Sequence, residues 1–137
     1  MTATDTRPVR GAFRCEGEYW AITYGAATCR LRDTAGLRYL AIVLRQPGWK
    51  VAATALMVAR RSRLLAVPQG ADDASSLRSA SEGARVAVTR SIRGAMLRIA
   101  AHNPELSEHL NATIRTGTHC LYAPDSRRLV AWEFDLR

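Results

Sequence analysis

A chain of 137 residues has room for one domain with one core, and a composition of 47% hydrophobic and 23% charged residues is that of a globular protein. No apolar run approaches the roughly 18 residues of a membrane span, so a membrane is not an expected partner. Twenty Lys and Arg against 12 Asp and Glu leave a net charge of +8, which favours an anionic partner, nucleic acid before membrane.

The N-terminal MTATDTRPVRGA lacks an apolar signal core, so residues 1–11 are expected to be a disordered leader and the protein cytoplasmic. The β-rich runs FRCEG, EYWAITY and ATCRL follow, separated by Gly17-Glu18 and Gly25-Ala26, and predict a three-stranded antiparallel meander. Trp20, Ile22 and Tyr24 alternate with Tyr19, Ala21 and Thr23, so the first set is expected to face the core beside Phe13. Asp33 or Thr34 caps a helix whose apolar stripe is Leu37, Leu40, Ala41 and Leu44, and which ends near Gln46 before Pro47-Gly48. A second helix is expected over about 52–66, packing through Ala55, Leu56, Ala59 and Leu65 and carrying Arg60, Arg61 and Arg63. Residues 67–82 are rich in Gly, Ser, Ala and Asp without a period and read as a flexible linker.

A third helix, 84–101, is expected to start between Ser81 and Ala84. Val88, Ile92, Ala95, Met96 and Ile99 fall on one of its faces. Ala87, Arg90, Ser91, Gly94 and Arg98 fall on the other, with Arg93 at the edge. Asn103-Pro104 ends it and opens a short helix, PELSEHLNATI. Thr116–Tyr122 and Leu129–Phe134 read as two strands of a hairpin turning at Pro124, Asp125 and Ser126.

Three main helices closed by a β-hairpin describe a winged helix. The expected fold is therefore α+β: residues 12–137 as a single winged helix-turn-helix domain with an N-terminal three-stranded antiparallel sheet and a C-terminal hairpin wing. The segment FRCEGEYWAITYGAATCRLRDTAGLRYLAIVLRQPGWKV resembles one found in actinobacterial regulators and large signalling ATPases. In that family a Tyr-Trp strand precedes an LRDxxGLRYLAxLL helix and a Pro-Gly turn. ARVAVTRSIRGAMLRIAAHNPELSEHLNATIRTGTHCLYAPD resembles the closing segment of the same domain. More distantly, the plan is similar to the OmpR-like winged helices. There a first helix stops at a Pro-Gly turn, a recognition helix opens with Val-x-Val, as in Arg85-Val86-Ala87-Val88, and an IRTxxGxxY pattern enters the wing, which Ile114 to Tyr122 resembles with its glycine earlier, at Gly117, and with a short helix intervening before it. This resemblance implies a DNA-binding transcriptional regulator.

On that reading helix 84–101 enters the major groove and hairpin 116–134 is the wing. Arg90, Arg93 and Arg98 contact phosphates or guanine edges, and Thr89 and Ser91 hydrogen-bond at bases or phosphates. Gly94 removes bulk where a backbone must approach, or else marks close packing against another helix. Arg60, Arg61 and Arg63 meet flanking backbone, and Arg127 and Arg128 at the hairpin tip reach a minor groove or phosphates, or are simply solvated. Arg115 is expected to anchor the wing through an acidic partner. The expected partners are double-stranded DNA, a homodimeric second copy with Val86 and Leu97 at the contact, and a protein signalling partner. The alternative is a winged-helix protein-interaction module without DNA binding.

No cofactor or metal is expected. The chain has no G-x-x-x-x-G-K loop, no dinucleotide fingerprint and no evident Ser-His-Asp or Cys-His arrangement, so no enzymatic activity is expected. Cys15, Cys29 and Cys120 are too few and scattered for a disulfide framework or zinc cage and read as reduced structural thiols. His119 and Cys120, as strand neighbours, point to opposite faces and chelate poorly. His102 and His109 are expected to cap or pack.

Overall fold

The computed structural model describes residues 9–61, 77–124 and 130–136, with the backbone alone for 60, 61, 77–81 and 136. The architecture is α+β, built from strands β1 (Val9–Glu16), β2 (Tyr19–Tyr24), β3 (Ala27–Arg32), helix α1 (Ala35–Leu44), strand β4 (Val51–Ala52), helices α2 (Ala53–Arg61), α3 (Leu77–His102) and α4 (Pro104–Thr113), and strands β5 (Ile114–Arg115), β6 (His119–Tyr122) and β7 (Val130–Leu136).

The predicted meander forms. β1 pairs antiparallel with β2 and β2 with β3, through turns at Gly17 and Gly25, whose φ angles of 71° and 62° suit glycine. Phe13, Trp20 and Ile22 are fully buried, as the alternation predicts, and Tyr24 packs at the edge of the core. Two expectations need correction. Strand β1 begins at Val9, so residues 9–11 of the supposed leader are sheet; residues 1–8 lie outside the described residues. The sheet has four strands rather than three, in the order β3-β2-β1-β7.

The fourth strand is the second arm of the expected hairpin. Instead of turning back on β6, β7 runs parallel to β1, with Gly11 opposite Trp132 and Phe13 opposite Phe134. Strand β6 pairs with β5 and β4 instead, in a separate three-stranded sheet of order β4-β6-β5. The reason is apolar area. Trp132 and Phe134 share one face of β7, and against β1 they pack onto Phe13 with ring centroids 5.4 and 6.3 Å apart. Gly11 makes room for this, since a Cβ there would lie 2.6 Å from the Trp132 ring. A parallel pair needs a long crossover, and here the intervening body of the domain supplies it.

Helix α1 starts at Thr34, whose side chain accepts from the Leu37 amide. Asp33, the other candidate cap, instead accepts from Trp20 Nε1 at 2.7 Å and pairs with Arg38 at 3.1 Å, tying the sheet to the helix start. Every residue of α1 from Leu37 to Leu44 except Arg38 is buried, making it the central helix rather than an amphipathic surface one. Gly48, at φ 77°, closes the predicted Pro-Gly turn and donates to the Tyr122 carbonyl at 2.8 Å. Leu56 and Ala59 of α2 are buried, Ala55 is half-buried, and Leu65 lies outside the described residues.

Helix α3 begins at Leu77, earlier than the 81–84 start read from sequence, so the last six residues of the supposed 67–82 linker are helical; 67–76 lie outside the described residues. Its end is as predicted. Asn103 caps α4 by accepting from the Leu106 amide at 3.1 Å, with Pro104 in the first turn.

One node joins α4, β6 and β7. Tyr122 Oη lies 2.9 Å from His109 Nε2 and accepts from Trp132 Nε1 at 3.1 Å. Burial holds the Tyr122 phenol above the ordinary tyrosine range, the Trp132 hydrogen bond opposing the shift. A raised folded-state value means that the associated stability is present below the ordinary phenol titration and lost as pH rises through the raised one. Replacing Tyr122 by Phe is expected to cost about 1–3 kcal/mol in urea unfolding at neutral pH. It is also expected to shrink the decline in stability above about pH 10. Equal alkaline profiles for the two proteins would disprove the coupling.

Candidate nucleic-acid interface

Beyond Glu82, helix α3 carries Arg85, Arg90, Arg93 and Arg98, and between Glu82 and Glu105 the chain has no carboxylate. Packing fixes how this charge is presented. Val88, Ile92, Met96 and Ile99 are buried, together with Ala84 and Ala95. Turning them outward would expose four large aliphatic side chains at about 2 kcal/mol each, on the order of 8 kcal/mol, so the opposite face is held toward solvent.

Arg90, Arg93, Gly94 and Arg98 are all exposed on that face. Arg85 pairs with Glu82 at 3.3 Å, but Arg90, Arg93 and Arg98 have no carboxylate partner among the described residues. A Cβ added at Gly94 would meet nothing within 4 Å among the described residues. Among the described residues, then, no other helix packs closely on Gly94. A different glycine plays that part: at Gly36 of α1 a Cβ would run into the Ser91 carbonyl oxygen and come within 2.9 Å of Ala95 Cβ. Gly94→Ala is therefore expected to raise stability by about 0.5–1 kcal/mol in chemical denaturation through helix propensity. A loss of stability would show that Gly94 has a contact not seen here.

Two hydrogen-bonding candidates sit less openly. Ser91 is half-buried where its backbone meets α1 at Gly36. Thr89 Oγ1 is sealed from solvent with no hydrogen-bond partner among the described residues, so in this conformation it does not reach the open face. Arg60 and Arg61 lie at the end of α2, and their side chains are outside the described residues, as are Arg63, Arg127 and Arg128 altogether. Arg115 is exposed on β5, and the acidic partner expected for it does not occur among the described residues.

Val86 and Leu97, which a wider core face would have buried, are 46% and 74% exposed. Leu97 stands between Arg90, Arg93 and Arg98 on the helix surface, so the face is cationic with an apolar ridge. Sequence reading missed that α4 folds back on α3 beside this ridge, because nothing local to the 104–113 segment says which neighbour it covers.

The three cysteines are free thiols, each held above its ordinary titration range mainly by burial. Among the described residues no three His, Cys, Asp or Glu side chains could hold a metal ion, and no helix is long and apolar enough to cross a membrane. Comparison with known proteins adds no relative: no family model, no curated protein and no solved structure matches this chain.

Proposed function

We propose that this chain is a DNA-binding transcriptional regulator of winged-helix type, reading duplex DNA with the 84–101 part of α3 in the major groove. The observation that carries the reading is the open cationic face of α3: Arg90, Arg93 and Arg98 exposed, without carboxylate partners among the described residues, around a bare Gly94. A guanidinium matches the paired acceptors of a guanine edge and phosphate oxygens alike, and Gly94 lets the helix come close. The wing of this reading is the small β4-β6-β5 sheet rather than a β6–β7 hairpin. Selectivity for a particular site would come from two copies on paired half-sites.

Anisotropy titration of a labelled random duplex tests this. Binding in the micromolar range at low salt is expected, with five or six phosphate contacts giving a log–log salt slope near about −5. Complete lack of binding at about 10 µM protein in low salt would reject DNA as the partner, since even non-specific binders reach that range. A protein-interaction module is the second reading, and the exposed Leu97 is the observation that favours it.

A further inference from the structure

We infer that the cleft between α3, α4 and β5 binds a small organic anion with an apolar body. The cleft measures about 420 Å³. That lies within the roughly 300–1,000 Å³ of ordinary ligand sites. Met96, Leu97 and Ile114 supply apolar walls from two elements, and Arg93 is the one charged residue among the described residues lining it. Asn111 Nδ2 donates to the Ser107 carbonyl at 2.9 Å and to Ser107 Oγ at 3.3 Å. That leaves Asn111 Oδ1 and the Ser107 hydroxyl proton without a partner among the described residues, and both residues line the cleft. A half-open, mainly apolar cleft with one cation and a few polar groups suits a carboxylate on a hydrocarbon or aromatic body. A second copy of the chain is a poor occupant, because it would bring another +8 charge to the same arginine.

Arg93 belongs to the cleft and to the open arginine face at once. A bound carboxylate would therefore engage a guanidinium that DNA also uses, so occupancy of the cleft lowers affinity for duplex. This coupling rests on the DNA reading; the cleft itself does not.

Octanoate is the probe, followed by backbone amide NMR on the protein alone, with octan-1-ol as its uncharged counterpart. Saturable shifts are expected around residues 93–97, 107–111 and 114–116, with affinity near or below about 1 mM and octan-1-ol at least about tenfold weaker. Arg93→Met, which keeps the apolar stem, is expected to erase the preference for the acid while leaving the circular dichroism unchanged. Absence of saturable shifts below about 10 mM, shifts centred elsewhere, or equal binding of acid and alcohol would overturn the inference. So would saturation of these residues by an acidic amphipathic peptide when octanoate has no effect, which would make the cleft a peptide-docking surface. In a second arm, saturating octanoate is expected to weaken duplex binding about tenfold, the scale of one lost charge-assisted contact. An unchanged duplex affinity would refute the coupling and leave the ligand site standing, whereas no duplex binding at all would refute the DNA reading alone.

Discussion

Replacing Arg90 and Arg98 together by alanine is expected to weaken duplex binding about 30-fold or more at low salt, at least about 1 kcal/mol for each lost contact. Thermal stability should stay within about 0.5 kcal/mol, because both side chains are exposed and have no carboxylate partner among the described residues. The salt dependence should flatten by up to about two units of slope, one for each lost phosphate contact. Anisotropy and thermal unfolding on the same protein preparations check both halves. Binding that survives the double change with its salt slope intact would remove α3 from the interface, whatever else the protein binds. Charge alone does not carry the prediction. Arg30 is exposed too, but it pairs with Glu16 at 3.5 Å across the meander, and Arg30→Ala is the control expected to leave duplex affinity within about twofold.

The second large effect falls on stability. Gly36→Val is expected to destabilise the protein by about 3 kcal/mol, lowering the unfolding temperature by on the order of 10 °C. The obstacle is backbone. A Cβ at Gly36 collides with the Ser91 carbonyl oxygen and lies 2.7 Å from its carbon, and a helix carbonyl cannot swing aside as a long side chain can. Relief requires α1 and α3 to move apart, which opens the interface that buries Ile92 and Ala95. Gly94→Ala on the same helix pair is expected to act in the opposite direction, and the contrast separates a crowding effect from a general response to losing glycine. If Gly36→Val unfolds with the wild-type midpoint, the close approach of α1 and α3 is wrong. The orientation of the arginine face then loses its main support.

Local patterning made much of this molecule readable. The alternation in EYWAITY placed Trp20 and Ile22 inside, and the Thr34 and Asn103 caps, the Pro-Gly turn and the Asn103-Pro104 break all fall where short-range stereochemistry puts them. The 3.6-residue period of α3 by itself separates Ile92, Met96 and Ile99 from Arg90, Gly94 and Arg98. Each of these is set by interactions within a few residues along the chain, so the chain alone carries the information.

What the tertiary structure decided involves partners far away in sequence. Leu129–Phe134 reads as the return arm of a hairpin, because a turn lies just before it. Yet β7 crosses the domain to lie beside β1, where Phe13 and the space over Gly11 accept Trp132 and Phe134. The two glycines show the same division. Gly94 and Gly36 both sit in helices, and only the approach of a second helix makes one indispensable and leaves the other open. Ser91 and Thr89 fall near the arginine face on a helical projection, but α1 covers the flank at Ser91 and the Thr89 hydroxyl is sealed off. Amino-acid order sets which face of each element is apolar; which apolar face meets which is settled by total buried area over the whole fold, a sum that no local window contains.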